Sequence, residues 1–135
     1  MKYILLFLLL LTGCTNNPSD EQKAAVNAYI QEQLDAVTKN LDFSQGYQGS
    51  LLKGETVEQA IRRTKKTMTN IHTSLTELKE KPFSEQRPII VRQLKAEIDL
   101  FDKTLARHFE SRPTEPPTYL IAILEQRRKW LNVLD

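Results

Sequence analysis

Apolar residues recur at helical spacing in four stretches of this chain, with polar residues between them. Val26, Ile30, Leu34, Val37 and Leu41 advance in steps of three and four, which predicts a first helix from about Asp20 to Leu41. Val57, Ile61, Thr64, Met68, Ile71, Leu75 and Leu78 alternate steps of four and three. That is a heptad seam along a second helix from about Thr56 to Lys81, broken chemically only by Thr64. Ala60, Thr67 and Ser74 run beside it every seven residues, a line of small side chains that lets a neighbouring helix come close. Val91, Leu94, Ile98, Phe101, Leu105 and His108 mark a third helix, its stripe widened by Ile90 and Phe109. Leu120, Ile123, Leu124, Trp130, Leu131 and Leu134 share one face of a fourth helix, from about Thr118 to the last residue, with Tyr119 at its margin. A separate, unbroken apolar run covers Tyr3 to Leu11.

The boundaries carry their own chemistry. Ser19 with Gln22, and Thr56 with Gln59, have the spacing of a capping box, in which each residue satisfies the other's free backbone N–H. Pro82 ends the second helix, Ser84 is placed to cap the third, and Pro88 then falls in its first turn. Pro113, Pro116 and Pro117 stiffen the corner from Ser111 to Pro117. Between the first two helices, Asp42 to Gly54 breaks the pattern and holds Gly46, Gly49 and Gly54. Phe43 and Tyr47 in this loop have two readings: they pin it to the bundle, or they present it to a ligand. The fold class expected is all-α, a small bundle of about four helices with a central antiparallel hairpin from the second and third helices. No internal repeat or low-complexity tract is present.

The first residues change the picture. Lys2 precedes the apolar run, and Leu11-Thr12-Gly13-Cys14 follows it. As a helix the run would span about 14 Å against a hydrocarbon core of ~30 Å, so it suits an export signal rather than a membrane span. This arrangement resembles a bacterial lipoprotein signal peptide ending in a lipobox. The resemblance implies that the Cys14 thiol accepts a diacylglyceryl group, that cleavage falls between Gly13 and Cys14, and that the new N-terminus is acylated. Residues 1–13 would then be removed, 14–18 would form a lipidated tether, and 19–135 would form the helical domain. Thr15, rather than Asp, after the cysteine favours the periplasmic face of the outer membrane in a bacterium that has one.

Composition narrows the function classes. Loss of Lys2 with the leader lowers the formal charge from +2 to +1. So even a balance argues against nucleic acid as a partner, which draws a concentrated basic excess. Cys14 is the only cysteine, so no disulfide staples the domain. With only His72 and His108 besides carboxylates, neither a metal nor a cofactor is expected. No glycine-rich elbow surrounds a serine, and no catalytic residue is assigned. Asp99 with Asp102, and Glu77 with Glu80, read as solvated charged faces. Arg62-Arg63-Thr64-Lys65-Lys66 is the densest basic cluster, spread around more than half of a helix. It reads as solvated faces or as a contact for anionic headgroups or an acidic partner.

Arg127 is the least expected charge, because it projects from the apolar face of the fourth helix. It lies on the rim of the bundle, finds a carboxylate, or marks a face that docks a partner. Arg127, Trp130 and Tyr47 are therefore the candidate partner surface. The function expected is that of a non-enzymatic, membrane-anchored accessory module. It is held in the bilayer through acylated Cys14 and binds another envelope protein in secretion or envelope assembly. An immunity or exclusion lipoprotein acting against a toxin, phage or plasmid is the alternative, with a small-ligand carrier or enzyme behind it.

Overall fold

The computed structural model describes residues 17–135. Among them are four α-helices and no strand: α1 Asp20–Asn40, α2 Val57–Glu80, α3 Phe83–Ser111 and α4 Thr118–Leu134. The lipidation and cleavage expected at Gly13 and Cys14 fall outside the described residues.

Local chemistry closes each helix end. At the start of α1, Gln22 N–H donates to Ser19 Oγ and Ser19 N–H donates to Gln22 Oε1, both at 3.1 Å. At the start of α2, Gln59 N–H donates to Thr56 Oγ1 at 3.2 Å and Thr56 N–H donates to Gln59 Oε1 at 2.9 Å. Both capping boxes are thus formed. α3 departs from expectation. It begins at Phe83 with Pro82 at the cap position, not Ser84. The Pro82 carbonyl accepts from the N–H groups of Glu85 and Gln86 at 3.0 and 3.1 Å, so the helix is already under way when Ser84 is reached. Pro88 consequently sits inside the helix instead of in its first turn. α4 follows Pro116 and Pro117 directly, and Ile121 N–H donates to the Pro117 carbonyl at 3.1 Å.

Packing divides the chain into two compact units. The first holds residues 17–26 together with 82–135, hence the opening turns of α1 with α3 and α4. Here α3 and α4 form an antiparallel hairpin. Its pairings run from Arg87 with Leu134, through Glu97 with Arg127 and Asp102 with Arg128, to His108 with Glu115 at the corner. Val26, Ile90, Leu94, Leu124 and Leu134 are buried at its centre. Full burial of such side chains stabilises by roughly 1.5–3 kcal/mol each. The open end is closed by polar contacts: Gln22 Nε2 donates to the Val133 carbonyl at 3.2 Å, and Arg87 Nε donates to the Leu134 carbonyl at 2.5 Å.

The second unit holds residues 27–81. Its buried residues are Tyr29, Ile30 and Val37 on α1 and Ala60 and Leu78 on α2. The heptad seam of α2 is only partly covered. Val57 is 51% exposed and Ile71 40% exposed, while Ile61, Met68 and Leu75 are half-buried. A heptad pattern marks where apolar side chains align; it does not guarantee that anything lies over them. Among the described residues no helix is long and apolar enough to cross a membrane.

Candidate functional site

Arg127 stands on α4 between Leu124 and Leu131, where the helix turns its apolar face inward. Of the three readings open to it, rim position, carboxylate partner or docking face, the structure supplies the carboxylate, and the residue is only 6% exposed. A guanidinium held so far from water must be matched by charge and hydrogen bonds. Arg127 Nε donates to Glu97 Oε2 at 3.0 Å, and a second nitrogen donates to Gln126 Oε1 at 3.2 Å. The guanidinium carbon lies 5.0 Å from the centre of the Trp130 ring, a cation–π distance. The structure therefore brings Arg127 and Trp130 together as parts of one internal bridge between α3 and α4. Trp130 keeps part of its surface in solvent. The place of Arg127 on an apolar face shows that it needs a carboxylate, but nothing local points to Glu97, which is thirty residues away in sequence.

Tyr47 belongs to the other unit, in the loop between α1 and α2. Its hydroxyl donates to the Ser50 carbonyl at 2.8 Å, across a loop that turns at Gly46 with φ +86°. A Cβ on Gly49 would lie 2.5 Å from the Tyr47 hydroxyl oxygen, so only glycine lets the ring settle there. Tyr47 pins the loop from within. Phe43 lies 6.5 Å from Tyr47 between ring centres, and the Lys65 ammonium stands 5.7 Å from the centre of the Phe43 ring. Beside these rings is an open cavity of about 600 Å³, lined by Lys39, Asp42, Gln48 and Thr64 among others. Hydrogen bonds from the backbone and side chain of Ser44 hold Asp42 below the usual carboxylate range.

The end of the loop is clasped to α2. Arg63 makes two hydrogen bonds to Glu55, each 2.9 Å, and a third to the Ser50 carbonyl at 3.2 Å. Glu55 also accepts from Leu52 N–H at 3.1 Å, and Gly54 takes φ +77° to complete the turn. The Arg63 hydrogen bond lowers the Glu55 pKa, partial desolvation opposes it, and the Leu52 N–H adds to the lowering. Because Glu55 binds its proton more weakly in the folded chain than in the unfolded one, the clasp is complete above its ordinary value of 4.5. It is lost as pH falls through the depressed folded value. Protection of the Leu52 amide, its exchange rate by NMR measured against the intrinsic rate at each pH, should therefore fall on acidification below pH 4.5. Glu55→Gln should loosen the loop already at neutral pH and remove that response. Unchanged protection in both tests would mean the clasp does not hold the loop.

The remaining candidates resolve into surface pairs. Asp99 pairs with Lys103 at 2.9 Å and Asp102 with Arg128 at 2.6 Å, all four substantially exposed. Such pairs contribute little, about 0–1 kcal/mol each. His108 Nε2 is 2.6 Å from the Glu115 carbonyl and closes the corner between α3 and α4. His72 is exposed on α2. Among the described residues no three His, Cys, Asp or Glu side chains gather as a metal site would require. No protein-family model, curated protein or solved structure matches the chain.

Proposed function

We propose that this chain is a bacterial envelope lipoprotein, anchored through acylated Cys14, whose helical domain binds another envelope protein without catalysis. The lipobox-like leader supports the anchor. The observation that carries the binding role is the seam of α2, where Val57 and Ile71 stand 51% and 40% exposed in a regular heptad series. Monomeric helices rarely leave such a series open, and its natural occupant is a second amphipathic helix. The flanks give that helix a stated chemistry. Lys65, His72 and Lys79 line one side of the seam, and the small residues Thr67 and Ser74 line the other. A partner with acidic residues along one edge matches the first side and approaches closely along the second. Two copies of α2 packed antiparallel would oppose lysine to lysine, which disfavours self-association through this face.

The test is photo-crosslinking in living cells. A photoreactive residue at Ile71 should give one dominant adduct. The same group at Thr73, on the opposite face, should give none. Ser74→Trp, at an exposed position, should block the Ile71 adduct and leave the fold intact. Equal labelling from both faces would remove the seam as a binding surface.

A further inference from the structure

Two leucines at the tip of the loop before α2 stand about half exposed. Leu51 is 49% and Leu52 58% exposed. They do not hang on a loose strand. The Leu52 N–H bond to Glu55, the return bond from Glu55 N–H to the Leu52 carbonyl at 2.9 Å, and the Arg63 clasp on Ser50 and Glu55 fix the backbone on both sides. The tip is preorganised with its leucines facing outward.

The charge around it is one-sided. Residues 51–66 contain Lys53, Arg62, Arg63, Lys65 and Lys66 against Glu55 and Glu58. This segment alone carries more positive charge than the formal +2 of the whole chain. Arg63 is neutralised by Glu55, and Lys65 stands over Phe43. Among the described residues no ion pair engages Lys53, Arg62 or Lys66. Lys53 adjoins the leucines, and Arg62 and Lys66 flank the clasped Arg63 on the helix surface. Glu58 is the one uncompensated opposing charge nearby.

We propose that the Leu51–Leu52 tip is a peripheral membrane contact. The leucines enter the headgroup–acyl boundary, and Lys53, Arg62 and Lys66 meet the phosphates of anionic lipids. Exposed aliphatic side chains at a fixed turn, in a segment whose Lys53, Arg62 and Lys66 are engaged by no ion pair, are the combination that an anionic bilayer surface attracts. The contact goes beyond the anchor. It rests on the lipoprotein reading only in that the anchor keeps a bilayer within reach, and it gives the domain a set orientation on the membrane.

The test is hydrogen exchange read by mass spectrometry on the full chain, purified from membranes and reconstituted in vesicles. One set contains phosphatidylcholine alone, the other equal parts phosphatidylcholine and phosphatidylglycerol. Each basic residue at an anionic surface strengthens attachment about five-fold. Amides 51–54 should therefore exchange at least about five-fold more slowly in the anionic vesicles, and added salt should reduce the difference. Leu51→Ser with Leu52→Ser, and separately Lys53→Glu with Lys66→Glu, should abolish the slowing. Exchange along α2 in the same spectra reports whether each variant is folded. Equal exchange of the native loop in the two vesicle types overturns the proposal, as does protection that appears only with an added acidic protein. The mass of the N-terminal peptide separates this proposal from the anchor. An unprotected loop on a chain with acylated Cys14 overturns the contact alone, and a protected loop on an unacylated chain overturns the anchor alone.

Discussion

Arg127→Ala should destabilise the fold by about 3 kcal/mol and lower its melting temperature by on the order of 10 °C. The substitution removes the 3.0 Å ion pair between Arg127 and Glu97 and the cation 5.0 Å from the centre of the Trp130 ring. The side chains of Arg127 and Glu97 are only 7% and 24% exposed, so water repairs little of the loss. The lower end of the range for breaking a buried pair applies because Glu97 retains some solvent. A domain of this size has about 5–15 kcal/mol of total stability, so the loss is a large fraction of it. Glu97→Ala should cost less, since the freed guanidinium keeps Gln126 and the ring. Arg127→Met with Glu97→Leu should recover most of the stability, because an apolar pair of similar volume avoids desolvating two charges. Urea unfolding of the three variants checks these values. A change below about 0.5 kcal/mol in Arg127→Ala is the size expected of a surface residue and would contradict an internal bridge. Ile71 cross-linking by the folded fraction should be unaltered, because Ile71 stands on α2 and the Arg127 bridge joins α3 to α4.

What could be read from the sequence follows how far each determinant reaches along the chain. The capping boxes at Ser19 and Thr56 need residues three apart, and both were legible. So was the corner before α4, where Pro116 and Pro117 act on their own backbone. The start of α3 lies two residues earlier than Ser84 would place it, because the Pro82 carbonyl, not a side chain, receives the first helical N–H groups. Burial was less legible. Val26, Ile30 and Val37 lie in the expected stripe of α1, but Tyr29 and Ala25 join them, and only the packed neighbours decide how wide a stripe becomes. Along α2 the most regular seam in the sequence is also the least covered. Periodicity records alignment on one helix and is silent about what lies opposite. The α3–α4 hairpin rests on side-chain pairs 26 and 30 residues apart, which periodicity along one helix does not reveal. Arg127 shows the same limit at the candidate site. Its misfit on an apolar face was visible, but Glu97 emerged only once the two helices were aligned.

Cys14→Ser should abolish incorporation of labelled fatty acid and accumulate a longer, unprocessed chain. The argument is chemical. A thiol ionises near pH 8.5 and its thiolate is a strong nucleophile, whereas a serine hydroxyl stays protonated and needs a dedicated base to react. Without the lipid on residue 14, cleavage between Gly13 and Cys14 is not expected, and the Tyr3–Leu11 run stays attached. That run can itself hold the precursor at a membrane, so fractionation of Cys14→Ser alone does not decide the matter. The decisive form replaces residues 1–14 with an ordinary cleavable export signal, so that the exported domain begins near Thr15. It should then appear in the soluble fraction, while the native protein stays with membranes through an alkaline wash. The expected contrast is large. Each buried methylene adds ~0.8 kcal/mol, one myristoyl chain alone gives only ~10⁴ M⁻¹, and a second and third chain multiply that partition by many orders of magnitude. The loop contact at Leu51 and Leu52 rests on a few side chains and should detach in the same wash. Continued retention of the exported domain would mean that the helices, not Cys14, hold the protein at the membrane.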